Sequence, residues 1–244
     1  MIVCVTGGKG GPGATVLAAN LARAWSRTER SCLLVDLDPF GGDVGAYLDP
    51  ALLDPRRGLL PLLKLERNGV SPEAVTREIQ EVRPGLSVLL GSLRPAGDLL
   101  SGRVSEVLRS AQRTADVVVT DLGRMAPESP SLPGLHAADH IVVAARPDLQ
   151  GALAAERALS LMEHQGPVGI VATRVRRRHR ADVIELSQAL GRPIAATFPE
   201  LKVAVAVNSR RRARRALAVL VKTLGSEQST TEQPLAAVQE VAAS

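Results

Sequence analysis

The first candidate site is the glycine-rich stretch Thr6–Thr15, which reads T-G-G-K-G-G-P-G-A-T. Backbone N–H groups in such a turn point inward, and the N-terminus of a following helix adds about half a positive charge, so the turn suits a phosphate group. From Gly8 onward the stretch matches the phosphate-loop pattern G-x-x-x-x-G-K-[ST] at every fixed position except the lysine, where Ala14 stands. Thr15 keeps the hydroxyl that binds Mg²⁺. The alternative is a glycine-rich connection between a strand and a helix that binds no ligand.

Three aspartates follow predicted strands. Asp36 and Asp38 lie in the segment D-L-D-P-F-G-G-D, and Asp121 ends the apolar run V-V-V-T-D, which has the Walker B form. Parallel strands present their carboxyl ends to ligands, so these carboxylates are expected to face the phosphate site, with Asp121 contacting Mg²⁺ through water. The alternative is that Asp-Pro and Gly-Gly only terminate the earlier strand.

Strands alternate with helices along the chain, which predicts a single doubly wound α/β domain with a mainly parallel sheet. The glycine loop lies between a first strand, Ile2–Val5, and a helix that begins at Ala14. The predicted helices include Pro72–Val82 and Val203–Leu224, the latter with an apolar stripe and arginines on its other faces. The domain is predicted over residues 1–225, followed by a polar, disordered tail over residues 226–244. The other predicted strands are Ser31–Leu37, Leu86–Leu90, Val117–Asp121, His140–Ala145, Val168–Thr173 and Ile194–Phe198.

The composition predicts a cytoplasmic protein with an aliphatic core. Apolar residues make up 45% of the chain and aromatic residues only 2%. No apolar run approaches the roughly 20 residues that span a bilayer. The N-terminus lacks the basic segment of a signal peptide. Cys4 and Cys32 fall in predicted strands, where they are expected as small core residues of a reduced protein, not as a disulfide or metal ligands.

Positive charge is concentrated in the last quarter of the chain. The net charge is +5, but residues 165–225 contain 11 arginines and 2 lysines against 3 acidic residues. The runs Arg174–Arg180 and Arg210–Arg215 favour non-specific, salt-sensitive DNA binding. The alternative is a solvated basic face in a protein encoded by an arginine-biased genome. The tail from Ser226 lacks the basic and bulky apolar residues of interfacial helices, so no strong direct membrane binding is expected.

With Lys9 inside the loop, K-G-G-P-G-A-T resembles the deviant phosphate loop K-G-G-x-G-K-[ST] of MinD/ParA-family ATPases. The resemblance extends over roughly Met1–Leu224. It implies a SIMIBI-type P-loop NTPase that binds ATP and Mg²⁺ as a homodimer, with Lys9 reaching the partner's nucleotide and Asp38 orienting the attacking water. The implied nucleotide contacts are Gly8, Lys9, Gly10, Gly11, Gly13, Ala14, Thr15, Thr173 and Pro199, and the implied Mg²⁺ contacts are Thr15, Asp36 and Asp121.

The C-terminal part resembles more narrowly the CpaE/TadZ branch, which places pilus-assembly machinery at cell poles. This implies recruitment to a pole or to the inner membrane by a protein partner. Two positions depart from the family pattern: Ala14 replaces the loop lysine, and Thr173 stands where the family has an adenine-reading asparagine. Because phosphoryl transfer depends on such positive charge, weak or absent hydrolysis is expected. The resembling parts are Val168–Arg178, Val183–Leu190, Ile194–Glu200 and Val203–Asn208.

Three functions remain open from the sequence. The first is an ATP-dependent, dimerising switch that positions an assembly, whether pilus machinery or a division or partition apparatus; Lys9, Thr15, Asp38 and Asp121 favour it. The second is a pseudo-ATPase scaffold that binds no nucleotide, which Ala14 and Thr173 favour. The third is a ParA-like partition protein that binds DNA non-specifically through its two arginine runs.

Overall fold

Eight strands form one sheet in the computed structural model of the chain, which describes residues 1–48, 50–66, 68–162, 166–176, 180–201 and 211–226. The strands are β1 (Ile2–Gly7), β2 (Cys32–Asp36), β3 (Gln80–Arg83), β4 (Leu86–Leu89), β5 (Val117–Arg124), β6 (His140–Ala145), β7 (Val168–Val175) and β8 (Ile194–Pro199). Their spatial order is β3-β4-β2-β5-β1-β6-β7-β8, and every neighbouring pair is parallel except β3 and β4. The predicted α/β fold with a mainly parallel sheet is therefore confirmed.

Helices cover both faces of this sheet. The α-helices are α1 (Ala14–Trp25), α2 (Leu59–Leu65), α3 (Pro72–Glu78), α4 (Gly97–Leu100), α5 (Val104–Gln112), α6 (Leu149–Ser160), α7 (Arg180–Leu190) and α8 (Arg211–Ser226). Helices α1 and α8 share one apolar core with the sheet, whereas α2, α3, α5, α6 and α7 contribute to a second core on the opposite face. Within the described ranges, no helix combines the length and apolar character that crossing a bilayer requires.

Strand β1 lies in the middle of the sheet, between β5 and β6, and all of its residues are buried. Because successive side chains of a strand point to opposite faces, Ile2 and Cys4 join one core while Val3 and Val5 join the other. This double burial explains the uninterrupted apolar run I-V-C-V. Cys4 is a free, buried thiol, as predicted.

Helix α8 packs on α1 and β8 through the predicted apolar stripe. Ala213, Leu217, Leu220 and Leu224 are buried, whereas the helix's arginines Arg211, Arg212, Arg214 and Arg215 are exposed. The helix was predicted to begin at Val203, but residues 202–210 lie outside the described part of the chain. The predicted tail, apart from Ser226, lies outside it as well.

One predicted helix was too long. Pro72–Val82 was expected to be helical throughout, but α3 ends at Glu78 and the chain continues as the antiparallel strand β3. The physical reason is the Pro84-Gly85 turn, in which Gly85 has a φ of 77° and a hairpin joins β3 to β4. The buried Gln80 side chain also fixes the start of β3, because its amide accepts from the Asp54 N–H at 2.7 Å and donates to the Asp54 carbonyl at 3.0 Å.

Candidate functional site

The glycine loop connects the end of β1 to the start of α1 at the carboxyl edge of the sheet. Gly11 and Gly13 have φ angles of 78° and 93°, in the left-handed region that side-chain-bearing residues rarely adopt. Gly13 also begins the helical hydrogen bonding, since the Leu17 N–H donates to its carbonyl at 2.9 Å. Ala14 is therefore the first residue of α1, and its side chain is buried. The loop has the geometry of a turn that leads into a helix N-terminus, where an anion is favoured.

The first part of the loop is pressed against helix α6. A Cβ atom added to Gly8 would lie 1.7 Å from the Ala154 carbonyl oxygen, so only glycine fits there. At Gly10, by contrast, an added Cβ would meet nothing within 4 Å. The Lys9 ammonium group donates to the Gln150 side-chain oxygen of the same helix at 3.3 Å. Helix α6 thus supports residues 8 and 9, while the next glycine is open to solvent.

Two buried carboxyl groups stand below the loop. Asp36 and Asp121 are register partners on β2 and β5, and each is about 1% exposed. Burial, and then the charge of Asp121, raise the pKa of Asp36 well above its usual range. Burial likewise raises the pKa of Asp121 to about 7, although the nearby Thr15 hydroxyl and the Gly123 N–H lower it. The pair is an electrostatically costly arrangement that a cation would relieve.

Glycines give these carboxylates their positions. An added Cβ at Gly42 or Gly91 would lie within 2.9 Å of the Asp36 carboxylate oxygens. The carboxylate therefore packs between the main chains of these two glycines, where a larger residue would not fit. Asp36 accepts the Val44 and Asp38 N–H groups, both at 3.2 Å. Asp38 lies against Gly123 in the same way, and burial raises its pKa.

The end of β7 contacts the loop directly. Thr173 is buried, and its hydroxyl lies within hydrogen-bonding distance of the carbonyl oxygens of Pro12 and Ala145, the latter at 3.2 Å. The hydroxyl is thus engaged with the main chain of the loop. Pro199, at the end of β8, lies farther out and lines a hollow of about 810 Å³ between the ends of β7 and β8 and the start of α8. Leu201, Arg211 and Arg212 line the same hollow.

A family model for the CobQ/CobB/MinD/ParA nucleotide binding domain matches residues 3–212 of this chain. The chain belongs to this family. An uncharacterized protein of Mycobacterium tuberculosis (strain H37Rv) is 34% identical over 158 residues, which is 63% of this chain and 41% of that protein. The chain therefore spans about two fifths of the length of the curated relatives it matches.

Two solved structures of the MinD/ParA type show the same fold. A ParA family ATPase from Chlorobium tepidum superposes with a TM-score of 0.74 at 20% identity, covering 90% of this chain and 98% of the other. The septum site-determining protein MinD from Pyrococcus horikoshii, solved in complex with Mg-ADP, superposes with a TM-score of 0.68 at 15% identity, covering 93% and 97%. The family and the fold are those expected from the glycine loop.

The residues of this MinD/ParA-family chain fit Mg²⁺. Asp121 Oδ1 accepts the Gly123 N–H at 3.0 Å, whereas Oδ2 is buried and has no hydrogen-bond partner among the described residues. The Thr15 hydroxyl lies close enough to lower the pKa of both Asp43 and Asp121. Among the described residues, no cluster of three or more His, Cys, Asp or Glu side chains could hold a metal alone. Mg²⁺ needs no such cluster, because it is commonly held by one or two carboxylates together with phosphates and water.

Sequence reasoning assigned no role to several residues of the site. Asp43 and Tyr47 lie near Thr15 and Asp121, because the segment after β2 folds back over the start of α1. Arg124 stacks on the Phe40 ring at 4.9 Å, and its charge lowers the pKa of Asp38. Asp43 had a signal in the sequence, since it ends the acidic segment that begins at Asp36. The other two had none, because their contacts are set by the tertiary fold.

Proposed function

We propose that this chain binds ATP and Mg²⁺ at the glycine loop, dimerises through that face, and acts as a switch that positions a cellular assembly, with weak or absent hydrolysis. The observation that carries the proposal is the position of Thr15 and Asp121 beside a phosphate-type loop, with one buried Asp121 oxygen left for a ligand. The Mg-ADP complex of the structurally similar MinD from Pyrococcus horikoshii supports it.

Each site residue has a role in this proposal. The backbone from Gly8 to Gly13 and the N-terminus of α1 hold the phosphates, and Thr15, Asp36 and Asp121 hold the metal site. Mg²⁺ supplies charge neutralisation at the phosphates. Asp38, half-buried against Gly123, orients water for attack. The base lies toward Pro199 and the hollow at the end of β8. Thr173 contributes through its contact with Pro12, because its hydroxyl is already engaged there.

The dimer part of the proposal depends on Lys9. Among the described residues of the monomer, its ammonium group has one hydrogen bond, to Gln150, at a solvent-exposed position where such contacts contribute little. Across a two-fold axis, each Lys9 meets the partner's phosphates, and the two loop faces form an isologous interface. Nucleotide that binds better in the dimer then shifts the association equilibrium.

The assembly that is positioned is a pilus system of the CpaE/TadZ kind or a related division or partition apparatus. The protein acts in the cytoplasm and is recruited to a pole or to the inner membrane by a protein partner. The nucleotide-binding unit comprises residues 1–225, and the polar stretch over residues 226–244 is a tail. The support is the order of strand, arginine-rich loop, helix and strand near the C-terminus, together with the exposed arginines of α8.

The test is a calorimetric titration of the purified protein with ATP in the presence and absence of Mg²⁺. Binding that needs Mg²⁺ and is lost in Thr15→Ala is expected. Thr76→Ala is the matched control, because Thr76 is an exposed threonine of α3 whose hydroxyl bonds only its own helix, to the Pro72 carbonyl. Undetectable binding of ATP to every variant would contradict the proposal.

A nucleotide-free scaffold is the second candidate, and the apolar side chain of Ala14 at the start of α1 favours it. A protein of this kind keeps the fold and its partner surfaces without using the phosphate site. It predicts no heat of ATP binding and an association state that nucleotide does not change. The titration described above therefore separates it from the switch.

A DNA-binding partition protein is the third candidate, favoured by the four exposed arginines at the start of α8. Of the run Arg174–Arg180, residues 177–179 lie outside the described part of the chain. The candidate predicts DNA binding that weakens steeply with salt, because phosphate contacts release counterions. Fluorescence anisotropy of labelled duplex DNA tests it with Arg211→Glu/Arg215→Glu, and Arg94→Glu/Arg109→Glu, at two exposed arginines outside α8, is the matched control.

A further inference from the structure

Strand β7 ends against the phosphate loop, and it does so irregularly. Thr173 contacts the Pro12 carbonyl, and a Cβ atom added to Gly13 would lie 4.0 Å from the Thr173 Cβ. The pairing of β7 with β8 shifts register between Ala172 and Val175. The residue after Thr173 is therefore held beside the last residues of the loop, immediately before α1 begins.

That residue, Arg174, has an unusual backbone. Its φ is 55°, and it is the one non-glycine residue with a positive φ in the described ranges. Such a conformation is unfavourable for a side chain as large as arginine, and it persists only where the surrounding structure fixes it. A register shift of this kind bends a strand and redirects a side chain away from its regular alternation. Arg174 is therefore oriented differently from a residue in a regular strand.

The charges that act on the Tyr47 phenol agree with a position of Arg174 beside the loop. Burial and the charges of Asp43 and Asp121 raise the pKa of Tyr47, whereas the charge of Arg174 lowers it. Asp43 and Asp121 are the two carboxylates near Thr15, so Tyr47 marks the metal side of the phosphate loop. The Arg174 side chain is exposed, and its effect on this phenol agrees with the position of its backbone next to Thr173, which contacts Pro12 and lies beside Gly13 at the start of α1.

Nearby arginines are already engaged. Arg176 pairs with Glu200, and Arg146 pairs with Asp148 at 3.0 Å. Arg124 lies over the Phe40 ring at 4.9 Å, on the side of Asp38. Arg174 forms no ion pair within the portions of the chain that the structure describes. Arg174 is therefore a cation beside the loop with no ion-pair partner among the described residues, and the loop itself has Ala14 in place of the usual lysine.

We propose that Arg174 supplies the positive charge that Ala14 does not, and that its guanidinium contacts the outer phosphates of a nucleoside triphosphate bound at the loop. This inference rests on the proposed nucleotide binding. It identifies Arg174 as the residue that makes the site selective for nucleoside triphosphates. Arginine suits the task because its planar donor group matches phosphate oxygens and it remains charged at all relevant pH values.

The test compares the affinities of ATP, ADP and AMP, each with Mg²⁺, for the wild type, Arg174→Ala and Arg174→Lys. Arg174→Ala is expected to weaken ATP binding by about 10- to 100-fold, the loss typical of a charge-assisted hydrogen bond, and to leave AMP binding nearly unchanged. Arg174→Lys is expected to recover part of the ATP affinity. Arg192→Ala is the matched control, because Arg192 is an exposed arginine beyond α7 whose side chain lies outside the site. It should bind all three nucleotides as the wild type does.

A double variant tests whether a lysine at position 14 and Arg174 supply the same positive charge to the phosphates. In Ala14→Lys the loop regains its lysine, so adding Arg174→Ala should weaken ATP binding much less than in the wild type. Full additivity of the two changes contradicts the replacement. Circular dichroism and thermal unfolding confirm that each variant is folded before its affinity is interpreted.

Three further outcomes overturn the inference; the first two leave nucleotide binding by the wild type intact, whereas the third also contradicts the proposed function. An equal loss for ATP and AMP places Arg174 at the base or sugar. An unchanged ATP affinity in Arg174→Ala, with a loss in Arg124→Ala, assigns the charge to Arg124. ATP binding by Ala14→Lys but not by the wild type shows that no residue replaces the lysine. Absence of binding in all of these variants contradicts the proposed function itself, and the inference with it.

Discussion

Asp36 and Asp121 are register partners on adjacent parallel strands, so two buried carboxyl groups share the space beneath the glycine loop. Burial and mutual repulsion favour the protonated form of Asp36, and burial favours that of Asp121. The folded protein without metal therefore holds protons that the unfolded chain releases at a lower pH. This relationship connects the stability of the metal-free protein to pH.

The stability of the metal-free protein is expected to fall as the pH rises from about 4 to about 7. The pKa of Asp121 is about 7 in the folded state, above its usual value of 3.8, so the stabilisation is fully present below the lower value and is lost as the pH approaches the higher one. Thermal unfolding in a chelator across this pH range measures it. Asp121→Asn should reduce the dependence of stability on pH. Asp98→Asn, at an exposed position, should leave that dependence unchanged. A wild-type slope of the opposite sign would be incompatible with a protonated pair.

Gly8→Ala is expected to destabilise the protein by about 1–3 kcal/mol or more, as overpacking does. Its methyl group would overlap the Ala154 carbonyl, so either the loop or α6 must move. Gly10→Ala is the control in the same loop, since a Cβ there meets nothing within 4 Å and its φ is not positive. Denaturant unfolding of the two variants gives the comparison. Equal stability of both would mean that α6 does not support the loop.

Ala14→Lys is expected to raise either the affinity for ATP or the rate of its hydrolysis, by about 10²–10³-fold if the lysine contributes as much as a typical electrostatic contact to the transition state. Steady-state phosphate release and calorimetry measure the two effects. Ala14→Met adds a side chain of similar length without charge and controls for packing. Brisk hydrolysis by the wild type, abolished by Asp38→Ala, would contradict this expectation and would show that a cation such as Arg174 replaces the lysine in the transition state as well as in nucleotide binding.

Lys9→Ala is expected to weaken ATP-linked dimerisation while leaving the melting temperature nearly unchanged. The side chain has one exposed hydrogen bond, to Gln150, so its removal costs the monomer little. Sedimentation velocity with and without Mg-ATP tests this, with the exposed Lys64→Ala as the matched control. An association state that changes neither with Mg-ATP nor in Lys9→Ala would rule out the proposed interface.

Direct binding to anionic membranes is expected to be weak. The apolar stripe of α8 is buried against α1 and β8, so its exposed face offers arginines without bulky apolar residues. Co-sedimentation with anionic liposomes measures the binding. Strong binding that survives deletion of residues 226–244 and disappears in Arg211→Glu/Arg215→Glu would contradict the expectation. The double variant Arg94→Glu/Arg109→Glu, at two exposed arginines outside α8, controls for the change in net charge.

The sequence predicted those parts of the molecule that local chemistry determines. The first strand, predicted as Ile2–Val5 and observed as Ile2–Gly7, depends on residue type and spacing within a few positions, as do the glycine-rich turn after it and the aspartates at strand ends. Parallel strands then bring Asp36 and Asp121 together, because their carboxyl ends meet at one edge of the sheet.

What the sequence could not predict depends on contacts between distant residues. Thr173 and Pro12 are 161 positions apart, so the use of that hydroxyl to hold the loop has no local signature. The redirection of Arg174 depends on a strand irregularity that its own residue type disfavours. Strand β3 was missed for a different reason. Val82 is its one apolar residue and also fits a helical period, so the signal for a strand is the Pro84-Gly85 turn that follows it.

The chain contains one tryptophan, and its position has a practical consequence. Trp25 ends α1, is 3% exposed, and its indole N–H has no hydrogen-bond partner among the described residues. A Cβ atom added to Gly225 would lie 3.2 Å from the indole ring, so the last turn of α8 covers it. Its intrinsic fluorescence is therefore a label-free reporter of α8 docking: a red shift of the emission measures separation of α8 from α1. Because α1 begins at the phosphate loop, the same signal can follow a ligand-induced movement of that helix in real time.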